Sequence, residues 1–236
     1  MDHLIEVTLA GLTLPCALRF PEAAVFPLPD PAAPRVEIDP VRLTEEDWDY
    51  YIRQGSEASP QSEYSLLTAA FSDALMDFDR LVIHGAALRW QDRAWLICGP
   101  SGVGKSTQAG WLRRLRPGEF GVISGDRPIL SFHDNEIIVH PSPWNGKENW
   151  HDAVAAPLAG IVLLRRGEEN RLEALDPREA AVPVYAQVIQ TAARADRLRR
   201  SAELVTALVQ AVTVWRLTTH QPPASTELLL NEIFYP

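Results

Sequence analysis

The chain has 236 residues, 46% of them hydrophobic and 22% charged, with a formal charge of −9. That composition supplies one sizeable core, and the acidic balance excludes general nucleic-acid binding, which leans on clustered cations against phosphate. The two cysteines, Cys16 and Cys98, exclude a disulfide framework or a metal knuckle, and no apolar run approaches the ~20 residues that span a bilayer.

In chain order, residues 4–20 alternate loosely around a turn at Gly11 and predict a β-hairpin ending at Pro21. Residues 21–34 hold five prolines (Pro21, Pro27, Pro29, Pro31, Pro34) and read as an extended connector, followed by a short strand at 36–38. Thr44, followed by Glu45, Glu46 and Asp47, has the hydroxyl cap and first-turn acids of a helix start. Ser59-Pro60 opens a second helix over about 62–77. Strands are expected at 81–84, continuing through 86–90, and at 94–98, a hairpin around the polar break Gln91-Asp92-Arg93. A helix from 105 to about 116 is stopped by Pro117-Gly118. Short strands follow at 121–124, 129–132, 137–140 and 161–164. Residues 178 to about 214 read as helical, with a last strand near 215–218. The fold class is mixed α/β, divided into a small β-rich N-terminal lobe (1–60) and a larger domain (61–236). The N-terminus has no basic region followed by an apolar core, so the expected location is cytoplasmic, with no membrane partner.

Gly99-Pro100-Ser101-Gly102-Val103-Gly104-Lys105-Ser106 fits the G-x-x-x-x-G-K-[ST] pattern of a P-loop in full. Glycines let the backbone curl so that successive N–H groups point at phosphate oxygens, and the helix that begins there adds its positive N-terminal end. Lys105 would reach the terminal phosphates and the Ser106 hydroxyl would ligate Mg²⁺, with Thr107 next in the helix. An apolar strand before the motif and an amphipathic helix after it support the reading. The implied ligand is a nucleoside triphosphate, ATP with Mg²⁺. Phosphoryl transfer also needs a carboxylate that holds metal or accepts a proton. Asp126, just after the expected strand 121–124 and Gly125, is the candidate; its bland alternative is an aspartate that only turns the chain before Pro128.

The run Ile83-His84-Gly85-Ala86-Ala87, the P-loop, and Ser124-Gly125-Asp126 together resemble the catalytic domain of HPr kinase/phosphorylase. More broadly they are similar to the phosphoenolpyruvate-carboxykinase-like P-loop fold, here with C-terminal helices and a small N-terminal lobe. The segment from Pro141-Ser142-Pro143-Trp144 to Lys147-Glu148, with Leu158-Ala159-Gly160-Ile161, looks like small HPr-kinase-related proteins of peptide-modification gene clusters. The resemblance covers about residues 62–220. It implies that Asp126 is the base for a substrate hydroxyl and that His84 lies near the phosphate site. Two departures matter. Gly125 stands where HPr kinase has a first aspartate, and Arg127 where carboxykinases have a further acid, so the resemblance does not extend to a second metal or to the reverse phosphorylase reaction. No counterpart of the HPr kinase arginine signature is present, so HPr itself is not the expected acceptor. The family's oligomers, with the apolar C-terminal helices here, make a homo-oligomer an open expectation.

His84 alone would more often be a hydrogen-bonded core histidine than a phosphate-side group. Arg127 reads as a clamp for the γ-phosphate or a substrate anion, or as a surface salt bridge. Lys147 and Glu148 sit in a Pro-, Gly- and Trp-rich loop; Lys147 reads as a substrate contact or part of a turn, Glu148 as an ion-pair partner or second base. His133, His140 and His151, with Asp134 and Asp152, match no metal-ligand spacing and read as solvated loop. The expectation is an ATP-dependent kinase acting on a hydroxyl, such as a serine of a peptide or protein. The rivals are a small-molecule kinase, a P-loop ATPase, and a non-catalytic nucleotide sensor.

Overall fold

The structure, a computed structural model, describes residues 2–134, 136–146, 154–191 and 195–236. Strands β1 (His3–Leu9) and β2 (Leu12–Leu18) form the expected antiparallel hairpin, turning at Ala10 and Gly11. The proline-rich connector then returns along β2: Val36 N–H donates to the Thr13 carbonyl (3.0 Å) and Val41 N–H to that of Pro15 (2.9 Å). Only isolated bridges form there, so the strand expected at 36–38 is absent. Pro34 and Pro40 flank it and withhold the N–H groups that a ladder needs.

Helix α1 (Glu45–Arg53) starts with a reciprocal Thr44–Asp47 capping box. Helix α2 (Pro60–Leu75) starts at a Ser59 cap with proline in its first turn. Its buried stripe of Leu67, Phe71 and Leu75 packs with Leu14, Leu18 and Trp48, and also with Val82 and Ile129 of the main sheet. Residues before position 60 therefore share one apolar cluster with α2 and the sheet beyond it.

The main sheet contains β3 (Arg80–Val82), β4 (Gly85–Trp90), β5 (Arg93–Cys98), β6 (Phe120–Ser124), β7 (Ile129–His133), β8 (Glu136–His140), β9 (Ala156–Arg166), β10 (Arg171–Leu175) and β11 (Thr213–Thr219). One part runs in the order β6-β4-β5-β9-β11-β10, and β3-β7-β8 joins it at the start of β9. Strands β5, β9 and β11 are mutually parallel and the other pairings antiparallel, so the sheet is mixed. Side chains alternate between its faces. Leu96, Cys98, Ile161 and Leu163 pack against α4 (Pro177–Tyr185) and α5 (Ala195–Ala211). Ile97, Val162 and Leu164 pack against α3 (Lys105–Leu115), α6 (Ala224–Leu229) and the wider helical turn Leu230–Phe234. The result is a three-layer α/β arrangement.

Several expectations change. The helix expected over 178–214 is two helices, because the chain between them serves the sheet. Gln187 accepts the His84 N–H (2.7 Å), Val188 bridges Ile83, and Ile189 N–H donates to Val82 (3.0 Å). The strand expected at 161–164 is longer, and β10 and α6 were not foreseen. The continuous run expected at 81–90 breaks at Ile83-His84, where the chain leaves β7 and enters the space between β5 and β6. Among the described residues, no helix is long and apolar enough to cross a membrane.

Candidate phosphate-loop site

One edge of the sheet collects the chemistry. Cys98 at the end of β5 pairs with Gly85 at the start of β4 and with Leu163 near the end of β9. Ser124 at the end of β6 pairs with Ala87, and Arg166 at the end of β9 with Thr219. The loop 99–104 leaves β5 at this edge, flanked by residues 84 and 126 on one side and the end of β9 on the other.

Gly99 takes φ +146°, and a Cβ there would lie 2.8 Å from the Leu164 carbonyl oxygen and 3.0 Å from Val103. Gly102 and Gly104 also take positive φ, +74° and +114°. Helix α3 begins at Lys105 with no side-chain cap, so its first-turn amides and positive end are left for an anion. The Lys105 ammonium is buried and donates to the carbonyls of Gly99 (2.9 Å) and Pro100 (3.3 Å). Burial lowers its pKa, opposed by the nearby Asp126 and Cys98. Ser106 is half-buried, and Ser101 and Thr107 are exposed.

A buried polar network fixes the base of α3. The Gln108 amide donates to Ser225 Oγ (2.7 Å) and accepts from Thr226 Oγ1 (2.6 Å), while Thr219 donates to Ser225 (3.0 Å). Behind the loop, burial pushes the Cys98 thiol up to about 12, with Lys105 opposing, as befits a packed and unreactive thiol.

Asp126 lies between two cationic or hydrogen-bonding partners. Its Oδ1 is 3.3 Å from His84 Nε2 and its Oδ2 is 3.2 Å from Arg127 Nε. Its backbone carbonyl accepts the Gly85 N–H (2.8 Å), tying the turn after β6 to the start of β4. Burial raises the carboxyl pKa, but the His84 hydrogen bond and the charges of Arg127 and Lys105 outweigh it, leaving the pKa below the usual aspartate value. Arg127 in turn donates through Nη1 to the Ser65 carbonyl (3.1 Å) and Thr68 Oγ1 (2.6 Å) of α2. The loop 141–146 is hooked to the same part of α2: Tyr64 O–H donates to Pro143 (2.7 Å) and Trp144 Nε1 to the Tyr64 carbonyl (2.9 Å). Helix α2 thus forms the wall beside Asp126.

The structure brings His84, Lys105, Ser106, Asp126 and Arg127 to one sheet edge. Lys147 and Glu148 lie outside the described residues, as do Trp150, His151 and Asp152. His133 and His140 are strand rather than loop residues, His133 exposed and His140 half-buried. Both end strands, and both Nε2 atoms meet the buried Ser131 Oγ, at 3.0 and 2.8 Å. Among the described residues, no group of three or more His, Cys, Asp or Glu could hold a metal ion. The Ser106 hydroxyl and the Asp126 carboxylate fit Mg²⁺ nonetheless, because that ion takes one or two protein oxygens with the rest from phosphate and water.

Sequence reasoning missed four contributors. Ser65 and Thr68 carry no local signal for binding Arg127. Gln108 does: it is a polar residue on the stripe it shares with Ala109 and Leu112. Arg166, whose Nη2 donates to the Gly102 carbonyl at 2.7 Å, sits at the carboxyl end of a strand parallel to β5, where ligand sites gather in α/β sheets.

No family model matches the chain, and no curated protein matches it. Among solved structures it is similar to the HPr(Ser) kinase/phosphatase from Coxiella burnetii, at 12% identity over 65% of this chain and 96% of that chain, with a TM-score of 0.38. So low a score carries no argument about activity. The functional reading rests on the loop and its neighbours.

Proposed function

We propose that the chain is a Mg²⁺- and ATP-dependent kinase that transfers the γ-phosphate to a hydroxyl, with a serine of a peptide or protein as the expected acceptor. The observation that supports this most is Asp126: an ionised carboxylate aimed by His84 and Arg127, electrostatically coupled to Lys105 of the P-loop. In this reading residues 1–60 are the lobe and 61–236 the kinase domain, and the acceptor lies on the side of α2.

The amides of residues 101–106 and the Lys105 ammonium would hold the β- and γ-phosphates and stabilise charge on the transferring group, usually the largest catalytic term. Ser106 and Asp126 would hold Mg²⁺, which when bound neutralises the phosphate oxygens. Asp126 would accept a hydrogen bond from the acceptor hydroxyl. As the hydroxyl oxygen bonds to the γ-phosphorus, the bond to the ADP oxygen breaks and the proton passes to the carboxylate. Its lowered pKa makes Asp126 a weak base, which suits a loose transition state in which orienting the nucleophile matters more than deprotonating it early. His84 and Arg127 would act by fixing that carboxylate.

The test is transfer of label from γ-labelled ATP with Mg²⁺ into a fractionated extract of the source cell. The native chain should label a peptide, protein or small molecule, Lys105→Ala should not, and Asp126→Asn should lower the rate by about 10²–10⁴-fold. Unchanged transfer by Asp126→Asn would remove the base assignment. Label released only as free phosphate would make the chain an ATPase, and nucleotide binding without turnover would make it a sensor.

A further inference from the structure

The loop's flank away from Asp126 holds a cation that nothing so far explains. Arg165 and Arg166 end β9, and both are exposed. They are not equivalent. Arg165 Nε donates within its own surroundings, to Thr218 Oγ1 (3.2 Å). Arg166 Nη2 instead crosses to the P-loop and donates to the Gly102 carbonyl at 2.7 Å.

That carbonyl belongs to the peptide unit joining Gly102 to Val103. The N–H at the other end of the unit, on Val103, donates to the Pro100 carbonyl (3.2 Å). A peptide unit is planar, so bonds at its two ends fix its orientation. Without them it would turn more easily, because the unit rotates about Gly102 ψ and Val103 φ, and Gly102, at φ +74°, has no side chain to resist. Lys105 gathers the carbonyls of Gly99 and Pro100 in the same way. Two cations thus take three of the loop's carbonyl oxygens. Carbonyls so occupied cannot swing toward the mouth, where each would repel an incoming phosphate.

We infer that Arg166 is a positioning residue for the nucleotide: it braces the Gly102–Val103 peptide so that the loop is shaped for phosphate before any ligand arrives. The inference rests on the nucleotide-binding part of the proposed function. It deepens that reading by naming a residue that acts through the loop, without touching the phosphates. Pre-organisation of this kind favours every ligand whose β-phosphate fills the loop, so ADP and ATP benefit equally. A direct contact with the γ-phosphate would favour ATP alone.

The experiment is calorimetric titration of the full chain with Mg-ADP and with the Mg complex of the non-hydrolysable β,γ-methylene analogue of ATP, alongside thermal melts without ligand. Arg166→Ala should weaken both ligands by about 5–20-fold, the weight of one charge-assisted hydrogen bond reduced by its exposure. Arg166→Lys, which keeps a donor on a long stem, should recover a large part of the loss. Arg165→Ala, which removes the same charge one residue away, should leave both affinities unchanged. The ligand-free Tm should stay within about 2 °C of native for all three.

Three results would overturn the brace: unchanged affinity in Arg166→Ala, a loss confined to the ATP analogue, or an equal loss in Arg165→Ala. A lowered Tm in Arg166→Ala, with no recovery of affinity in Arg166→Lys, would also overturn it by making the role a structural one. Failure of the underlying reading looks different, because the native chain itself would then bind neither nucleotide.

Discussion

Replacing Gln108 by leucine tests whether the buried network behind the P-loop holds α3 in register with the sheet. Gln108 is 2% exposed and Thr226 is 0% exposed, so water cannot take over the bonds that are lost. The substitution removes the 2.7 Å bond to Ser225, the 2.6 Å bond from Thr226 and a long 3.4 Å bond to Thr219 Oγ1. Ser225 keeps Thr219 as a partner at 3.0 Å, whereas the Thr226 hydroxyl is left with none of the side-chain bonds seen here. Each lost bond is worth about 1 kcal/mol and an orphaned buried hydroxyl about 1–3 kcal/mol, with the added apolar burial of leucine offsetting part. The expected cost is about 2–4 kcal/mol, or about 4–15 °C in Tm for a chain of this size. Because α3 carries Lys105 and Ser106 in its first turn, nucleotide affinity should fall as well. Adding Thr226→Val removes the orphan, so the double variant should be more stable than Gln108→Leu alone, by about 1–2 kcal/mol. Urea unfolding of the native chain, both single variants and the double variant checks this. A Gln108→Leu chain as stable as native, or a double variant whose loss is the sum of the singles, would refute the reasoning.

Stability should also depend on pH through His140, whose pKa is lowered to about 4, first by burial and then by Arg80 and His133. The unfolded chain takes up the proton near pH 6.5 and the folded one near 4, so stability falls as pH drops across that window, by about 1.4 kcal/mol per unit. Urea midpoints between pH 7.5 and 4.5 should show this fall, and His140→Gln should flatten it. At the P-loop, Gly99→Ala should be far more damaging than Gly102→Ala. Both positions have positive φ, but only at Gly99 would the new Cβ meet a backbone oxygen at 2.8 Å; at Gly102 it meets nothing within 4 Å. Gly102→Ala should cost about 1–3 kcal/mol by backbone strain alone, and Gly99→Ala should in addition abolish nucleotide binding in the same titration.

How much was legible follows the range of the forces involved. The P-loop, the strand before it and the helix after it are short-range events, governed by glycine at positive φ and a helix start, and they are readable from residues 94–116. The hairpin at the N-terminus and the Thr44 and Ser59 caps are local in the same sense. By contrast, the strand expected at 36–38 fails for want of partner N–H groups. The helix expected over 178–214 breaks because residues 187–189 find better bonds on the sheet edge at 82–84. Asp126 could be named from its place after a strand, but not the bonds that aim it. Arg127 reaches α2 across about sixty residues of chain, and Gln108 meets Ser225 and Thr226 more than a hundred residues on. Arg166 became visible only once the parallel pairing of β5 with β9 set its strand end beside the loop. The sequence by itself determined the glycine-rich loop, the strand before it and the helix after it, because these depend on consecutive residues. Only the tertiary structure decided what braces the loop and what aims the carboxylate, because those contacts depend on which strand lies next to which.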